Sequence, residues 1–451
     1  MTTFFIDNHG CAKNQTDGEL LCGYLEKAGF AYTENADLAD FIIINSCGFI
    51  QSAKKESIDA VYSVKANYPR AKIILAGCLA QRYAQVLSES MPELDGIFGN
   101  GDLSKITQYM KSIQTAGNRP LKPAIYPQKG ICEGDRPRIF NYKGSAFVKI
   151  TEGCSNNCSF CAIPLIRGPV RSRPVKNIVR EIKELLADGI YEINLIGQDL
   201  AAFTTEEEHK GSALLYLLQQ LSALQGNFII RTLYIHPDHF NTDILEVYQK
   251  DKRILPYFDI PFQSGDDNII KAMNRTGTAA GYLELVKTIR SKLPQAVLRT
   301  TFLTGFPGET EEAAQNTMEF LRALNPNWSG CFAYSREEDT PAYSFKNRVP
   351  ARLAAKRAEA LQELQSRLTA SHNQKYAGQE LDVLIEEIIE SEDEGLAIAR
   401  AWFQAPEVDG NVVVRYDLDS PEQCALIAPG KVVKVKILSS TGLDLDSVLL
   451  H

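Results

Sequence analysis

Short apolar runs alternate with amphipathic stretches along the first part of the chain. Residues 4–7, 40–46, 72–77 and 96–99 each have the length and the apolar character of a buried strand. The stretches between them, such as residues 18–27, carry apolar side chains at helical spacing. Because strands and helices alternate in this way in α/β folds, the pattern predicts an open, mostly parallel α/β sheet.

A second alternation of the same kind runs from about residue 141 to 350. Six strand-like runs recur there at intervals of roughly 30–45 residues, with helical patterns between them. They are residues 146–152, 192–198, 229–235, 258–263, 297–306 and 327–335. Six strand–helix units predict a partial or full parallel (βα) barrel, in which the chemistry takes place at the carboxyl ends of the strands.

The last part of the chain changes pattern again. A charged helical stretch at residues 352–367 precedes short strand-like runs at 381–387, 411–416 and 431–438, with glycine and proline between them. Several short strands separated by turn residues predict a small β-barrel.

These changes of pattern divide the chain into four segments. An α/β sheet domain is expected over residues 1–115, and a linker with four prolines and few apolar runs over residues 116–139. A barrel domain is expected over residues 140–370 and a small β-barrel domain over residues 373–451. The length of 451 residues suits about three domains.

The cysteine content bears on the compartment and on the chemistry. The chain has ten cysteines, but a chain of this length does not need disulfides to stabilise a core. The amino terminus has no basic region followed by an apolar run, and no apolar stretch reaches the roughly 18 residues of a membrane span. We therefore expect a cytoplasmic protein with no membrane partner, whose reduced thiols are available to bind a metal or a cluster.

Three of the cysteines, Cys154, Cys158 and Cys161, form a C-x₃-C-x₂-C motif directly after the strand-like run 146–152. Three thiolates this close together can hold three irons of a [4Fe–4S] cluster and leave the fourth iron open. Because an open iron can coordinate a substrate or a cofactor, the motif indicates a cluster that takes part in a reaction. The alternatives are a structural zinc site, which usually has two separated cysteine or histidine pairs, and a protein that only stores electrons.

Three further cysteines, Cys11, Cys47 and Cys78, each lie at or just past the carboxyl end of a predicted strand of the first domain. Parallel strands bring their carboxyl ends to one edge of a sheet, so the three thiols can converge. A glycine beside each cysteine lets the backbone turn tightly and approach a ligand. The pattern predicts a second cluster site, and the alternative is three unrelated buried thiols.

Together these features resemble a known family. The motif of Cys154, Cys158 and Cys161 has an aromatic residue before its last cysteine and is similar to that of the radical S-adenosylmethionine (SAM) superfamily. Two three-cysteine sets on a sheet domain and a barrel, followed by a small β domain, resemble the methylthiotransferases, whose terminal domain is called TRAM. The resemblance implies two [4Fe–4S] clusters. One would be held by the first cysteine set (Cys11, Cys47 and Cys78) and one by the second cysteine set (Cys154, Cys158 and Cys161).

The resemblance also implies the reaction. One SAM donates a methyl group to sulfur associated with the cluster of the first set, and a second SAM binds the open iron at the second set. Reductive cleavage of that second SAM gives a 5′-deoxyadenosyl radical, which removes hydrogen from the substrate carbon before the methylthio group is added. An electron donor and a sulfur source are therefore expected partners.

The substrate divides the family into two branches. Four segments of this chain resemble the branch that modifies an aspartate of the twelfth small-subunit ribosomal protein: residues 11–14, 161–174, 298–310 and 405–410. Residues 263–267 instead resemble the branch that modifies a tRNA adenosine derivative, which is the alternative substrate.

The charge of the last domain favours the protein substrate. Residues 376–451 contain 15 Asp or Glu and 5 Lys or Arg, although the whole chain has a net charge of only −8. A tRNA-binding domain should present a basic surface, because phosphate contacts dominate nucleic-acid affinity. An acidic domain suits a basic ribosomal protein, and the alternative is an ordinary solvated acidic surface.

Three residues at the ends of barrel strands are candidates for contact with SAM. Gly305 and Gly308 flank the end of the fifth predicted strand, where small residues allow a ligand to come close. Gln198, followed by Asp199, ends the second predicted strand. The alternatives are turn glycines and a loop cap.

Other polar candidates follow the second cysteine set. Arg167 and Arg171 are expected to meet a carboxylate or to be solvated, and His236 is expected to be structural. The cysteines outside the two sets are expected either to pack in the core (Cys22 and Cys331) or to lack a partner (Cys132 and Cys424).

Overall fold

Three main β-sheets organise the chain. The computed structural model describes residues 1–116, 121–130, 132–140, 142–391 and 394–450. Residues 117–120 and 131 of the predicted linker, and residues 392 and 393 of the acidic domain, therefore lie outside the described residues. None of the described helices combines the length and the apolar composition that crossing a membrane requires.

The first sheet has five parallel strands in the order β2-β1-β3-β4-β5. Its strands are β1 (Thr3–Asn8), β2 (Ala31–Tyr32), β3 (Phe41–Ser46), β4 (Lys72–Gly77) and β5 (Gly96–Phe98). Its helices are α1 (Ala12–Lys27), α2 (Gln51–Asn67), α3 (Cys78–Ser90) and α4 (Ile106–Ala116). Successive residues of β3 enter the cores on opposite faces of the sheet, which explains its unbroken apolar run.

The second sheet is a partial barrel of six parallel strands in the order β13-β12-β11-β10-β9-β6. Its strands are β6 (Ser145–Lys149), β9 (Glu192–Ile196), β10 (Ile229–Thr232), β11 (Ile254–Asp259), β12 (Val297–Thr304) and β13 (Trp328–Ala333), and β7 (Thr151–Glu152) and β8 (Arg171–Ser172) form a separate pair. Its helices are α5 (Ile163–Arg167), α6 (Val175–Ala187), α7 (Ala213–Ser222), α8 (Leu245–Lys250), α9 (Asp267–Ala272), α10 (Ala279–Lys292) and α11 (Glu311–Leu324). Each of the six predicted strands has a counterpart, but the fourth, predicted at residues 258–263, is β11 and begins four residues earlier than predicted.

A long helix, α12 (Ala351–Asn373), leads from the partial barrel to a closed five-stranded barrel in the order β14-β15-β16-β18-β17. Its elements are β14 (Glu380–Ile389), β15 (Gly395–Ala401), β16 (Val412–Tyr416), α13 (Pro421–Leu426), β17 (Val432–Ser440) and β18 (Leu445–Leu449). The predicted fold class, an open parallel α/β sheet, a partial barrel and a small terminal β-barrel, is confirmed.

The terminal barrel is fixed to the partial barrel by buried polar contacts. Glu192, the first residue of β9, accepts from Arg231 of β10 at 2.8 Å and from Arg400 of β15 at 2.5 Å. Trp328, the first residue of β13, donates its indole N–H to the Phe403 carbonyl at 2.9 Å. Because Glu192 and Trp328 begin their strands, this contact lies at the amino ends of the barrel strands.

The segment between the first two domains packs against both of them. Buried Arg136 donates to Glu19 of α1 and to Glu181 of α6, in each case at 2.5 Å. The Tyr24 hydroxyl of α1 donates to the Glu133 carbonyl at 2.6 Å. Residues 132–140 therefore connect the sheet domain to the partial barrel through specific contacts as well as through the chain.

Candidate active site

The first cysteine set lies at the carboxyl edge of the first sheet. Cys11 caps α1 after β1, Cys47 follows β3, and Cys78 begins α3 after β4. A Cβ added at Gly10 would lie 2.9 Å from the Cβ of Cys47, and one added at Gly48 would lie 2.8 Å from the backbone of Cys78. The loops approach this closely because these residues are glycines.

The spacing of the thiols bears on the kind of metal centre. Among the described residues, no three His, Cys, Asp or Glu side chains lie close enough to hold a single metal ion. A zinc ion needs all its ligands around one centre, whereas a [4Fe–4S] cluster distributes its thiolates over separate irons. The described residues of the two cysteine sets therefore do not form a zinc-like site around one ion.

Arg167 connects the two cysteine sets. It lies six residues after Cys161, and its Nη2 is 3.3 Å from the Sγ of Cys78 in the first set. The same Nη2 donates to Asn14 Oδ1 at 2.7 Å, and the Cys78 thiol donates to that oxygen at 3.2 Å. The expectation of a solvated Arg167 is wrong, because its side chain is only 3% exposed.

Three charged side chains surround Arg167. Arg167 pairs with Glu152 at 2.8 Å and with Asp17 at 2.9 Å, and Lys149 bonds the same two carboxylates at 2.6 and 2.5 Å. Burial acts to raise the pKa of Glu152, but Arg167 and Lys149 outweigh it and hold that pKa well below its usual range. The network places two cations against two carboxylates, and it joins α1 to the partial barrel.

Burial and the nearby positive charge shift the pKa of the Cys78 thiol in opposite directions. Burial raises the pKa of Cys78 to about 12, and the Arg167 guanidinium opposes this shift. Burial also raises the pKa of Cys47. A metal centre that coordinates these sulfurs would favour the thiolate, as Arg167 does.

The second cysteine set lies on the loop after β7. The Ser159 N–H donates to the Met273 carbonyl at 3.0 Å and holds the loop against the end of α9. Burial raises the pKa of Cys154 to about 11 and that of Cys161 to about 12. A Cβ added at Gly153 would lie 2.3 Å from the Pro169 carbonyl, so only glycine lets the loop begin in this way.

His236 and Asp199 support the second set. His236 Nε2 is 3.8 Å from the Sγ of Cys158, and the His236 ring stacks on His239 at 4.9 Å. Asp199 accepts from the Asn156 amide at 2.9 Å and caps the turn that follows it by accepting from the Ala201 N–H at 2.9 Å. Asp199 therefore acts as a loop cap. His236 is buried and lies next to a cysteine of the second set.

The candidate SAM residues differ in their surroundings. Both polar atoms of the Gln198 amide are buried and have no hydrogen-bond partner among the described residues. A Cβ added at Gly305 would lie 2.2 Å from that of Ala354, whereas one added at Gly308 meets nothing within 4 Å; both glycines have positive φ. The Gln198 amide is thus free to hydrogen-bond a ligand. The two glycines are needed because their backbone has positive φ, which other residues rarely adopt.

The other cysteines include one that lies near the site. Cys22 and Cys331 are buried, as expected for core residues, and Cys424 is exposed. Cys132 was expected to lack a partner, but its Sγ lies 3.8 Å from both the Asn100 carbonyl and Arg171 Nη2. Sequence spacing gave no signal for this position, because residue 132 belongs to neither motif.

Sequence and structure comparisons identify relatives along the whole chain. Family models match the uncharacterized protein family UPF0004 over residues 3–99, the radical SAM superfamily over residues 148–321 and the TRAM domain over residues 377–449. The solved structure of the radical SAM methyltransferase TsrM from Kitasatospora setae aligns with a TM-score of 0.57 at 13% identity. It covers 76% of this chain and 74% of TsrM, and at that identity it supports the fold alone.

Full-length relatives give the family. The ribosomal protein uS12 methylthiotransferase RimO of Treponema denticola is 52% identical, with 98% of this chain and 100% of that protein covered. The protein of the same name from Thermosipho africanus is 38% identical, with 99% of each chain covered. Membership of the radical SAM superfamily implies a [4Fe–4S] cluster and SAM. The predicted branch is confirmed: the chain belongs to the ribosomal protein uS12 methylthiotransferase family of radical-SAM enzymes.

Proposed function

We propose that this chain adds a methylthio group to the β-carbon of an aspartate in ribosomal protein uS12, and that it uses SAM both as methyl donor and as radical source. The names of its full-length relatives support the substrate. The observation that carries the proposal is the contact between Arg167 and Cys78 at 3.3 Å. It joins the loop after the second cysteine set to the first set, as an enzyme that combines a sulfur centre with a radical centre requires.

Two clusters are part of this proposal. Cys11, Cys47 and Cys78 would hold one, and Cys154, Cys158 and Cys161 the other. When bound, the second-set cluster would supply the electron that cleaves SAM, and the first-set cluster would carry the sulfur that is transferred. An electron donor and a sulfur source complete the proposed partners.

The protein side chains provide position and charge. Arg167 donates to Cys78 and to Glu152, so its guanidinium offsets thiolate charge while its own position is fixed. The unpaired amide of Gln198 is proposed to bind SAM, with Gly305 and Gly308 shaping the nearby turn. Cys78 and Cys158 are buried, which limits the access of water to one thiol of each set.

The proposed division of labour follows the three main segments. Residues 1–115 provide the first set, residues 140–370 provide the second set, and residues 373–451 bind the substrate protein. Among the described residues of the last segment, eight acidic side chains are exposed: Glu380, Asp382, Glu387, Glu390, Glu407, Asp417, Asp419 and Glu422. A surface with this charge suits a basic ribosomal protein, which also implies activity in the cytoplasm.

The tRNA alternative has less support. The segment 263–267 that resembles the tRNA branch begins with Gln263 in a left-handed conformation, and its Asp266 caps α9. These roles are structural and do not require a nucleic acid. The full-length relatives are named for a protein substrate.

The test is mass spectrometry after anaerobic reconstitution with iron, sulfide, SAM and a reductant. Incubation with purified uS12 should add about 46 Da, the exchange of H for SCH₃, to one aspartate. The same assay on bulk tRNA is the control. A mass increase on a tRNA nucleoside, with uS12 unchanged, would overturn the proposed substrate.

A further inference from the structure

The loop that follows β13 in the partial barrel contacts two helices of the sheet domain. Glu337 of this loop accepts from Lys54 of α2 at 2.5 Å and from Arg82 of α3 at 2.7 Å. Helix α2 follows Cys47, and α3 begins at Cys78. All three charged side chains are largely buried, so one carboxylate of the partial barrel holds the two helices that follow these cysteines.

Arg82 also contacts the first cysteine set more directly. It lies one turn after Cys78 in α3, and its Nη1 donates to the carbonyl of Gly48, the residue next to Cys47, at 3.2 Å. The guanidinium therefore joins the backbone beside Cys47 to the helix that begins at Cys78. Because Glu337 accepts from the same guanidinium, it fixes the position of this connection.

The other end of the loop reaches the second cysteine set. The Thr340 hydroxyl donates to the Glu337 carbonyl at 2.7 Å, and the Ala342 N–H donates to the Ser159 carbonyl at 2.8 Å. Ser159 lies between the last two cysteines of the second set. The carboxylate that holds the first-set helices and the N–H that contacts the second-set loop thus lie five residues apart in one loop.

We propose that Glu337 is a positioning residue that keeps the first cysteine set aligned with the second for transfer of the methylthio group. This inference rests on the proposed function, in which both sets act on one substrate carbon. Removing the carboxylate leaves the buried cations Lys54 and Arg82 without their shared anion, so the helices that carry them should shift. A misplacement of about 1 Å, even one that arises far from the chemistry, can cost about 100-fold in rate.

The test compares reconstituted wild type and Glu337→Gln, each incubated with uS12, SAM and a reductant. Neither cysteine set loses a thiol, so the variant should keep its iron and should still cleave SAM. It should form at least about tenfold less methylthiolated uS12 per 5′-deoxyadenosine than wild type. The KM for uS12 should stay unchanged, because Glu337 acts on the cysteine loops and not on substrate binding.

A second readout does not depend on activity. The magnetic interaction between the two reduced clusters, measured by EPR without uS12, should differ between wild type and Glu337→Gln. Glu337→Asp keeps the charge and should restore part of the product ratio. Glu338→Gln is the matched control, because this neighbouring glutamate is exposed and contacts Arg82 through its backbone carbonyl. It should behave as wild type.

Each outcome has one interpretation. A Glu337→Gln enzyme with the wild-type product ratio, or with the wild-type magnetic interaction, would overturn the inference and leave the proposed function standing. Loss of iron from both Glu337→Gln and Glu337→Asp would assign Glu337 a purely structural role and would also overturn it. A wild-type enzyme that cleaves SAM but leaves uS12 unmodified would instead remove the proposed function itself.

Discussion

Arg400 of the terminal barrel donates to Glu192 of the partial barrel at 2.5 Å, and neither side chain is more than 2% exposed. Removing one partner of a buried ion pair leaves the other charge unpaired, which typically costs about 3–5 kcal/mol. Arg400→Met should therefore lower the free energy of unfolding by about 3 kcal/mol, as measured by urea denaturation. Arg415→Met, which removes an exposed ion-paired arginine from the same barrel, should change it little. Equal effects of the two variants would contradict this account.

The same pair predicts a pH dependence. Burial acts to raise the pKa of Glu192, but Arg400 and Arg231 outweigh it and lower that pKa from 4.5 to about 2. Because the folded-state pKa is depressed, the stabilisation is present above about pH 4.5 and is lost as the pH falls towards 2. The stability difference between wild type and Glu192→Gln should shrink by about 3 kcal/mol between pH 6 and pH 2. A difference that stays constant over this range would show that Glu192 does not titrate in this way.

Iron content tests the independence of the two cysteine sets. The reconstituted chain should hold about eight irons, as two [4Fe–4S] clusters. Changing Cys154, Cys158 and Cys161 to alanine should leave about half of this iron, because Cys11, Cys47 and Cys78 lie on a different sheet. Retention of all the iron, or its complete loss from a folded protein, would argue against separate sites.

Arg167→Met should weaken iron binding at the first cysteine set and leave the second set unchanged. The variant removes the cation next to Cys78 and leaves Glu152 with only Lys149. Groups that support metal ligands typically change metal affinity by about 10–100-fold, so the first-set iron should be lost to a chelator about tenfold more readily. SAM cleavage should persist. Arg171→Met is the control, because Arg171 contacts Cys132 and the carbonyls of Gln128 and Arg167, and none of its hydrogen bonds to the described residues goes to the first cysteine set. An equal effect of both variants would remove the special role of the Arg167 guanidinium.

Gly305 and Gly308 should respond differently to alanine. Both have positive φ, but only at Gly305 would the new Cβ collide, at 2.2 Å, with Ala354 of α12. Gly305→Ala should therefore lower the melting temperature clearly more than Gly308→Ala, whose cost is about 1 kcal/mol of backbone strain. If Gly308→Ala instead weakened SAM binding without a change in stability, its open surroundings would be part of the cofactor site.

Regular patterns made most of the fold predictable from the sequence. In the first sheet, β3 and β4 carry apolar runs because residues on both of their faces are buried. In the partial barrel, β12 and β13 contain polar or exposed positions, and they were predicted from the regular recurrence of strand–helix units. The strands β2, β8, β15 and β18 were not predicted. The first two have only two residues each. In the terminal barrel, β15 carries small alanines, at 397, 399 and 401, that fill the narrow interior, and β18 alternates apolar and polar residues over only five positions.

The two cysteine sets were predictable because one is a local motif and the other follows from strand ends. The side chains around them were not. Asn14 meets Arg167, and Lys13 meets Tyr234, only when α1 packs on the partial barrel. Cys132 reaches Arg171 through a segment without helix or strand. Contacts between distant segments leave no periodic pattern in a single sequence.

Arg136 has a consequence for building hybrid enzymes. One guanidinium, in the stretch between the domains, is shared by Glu19 of the sheet domain and Glu181 of the partial barrel. The separation of the two cysteine sets is therefore set by this connecting stretch as well as by the two sheets. A hybrid that takes its sheet domain from one family member and its barrel from another must take residues 132–140 and both glutamates from a single parent. Otherwise each half should fold and load its own cluster, and the transfer of sulfur between them should fail.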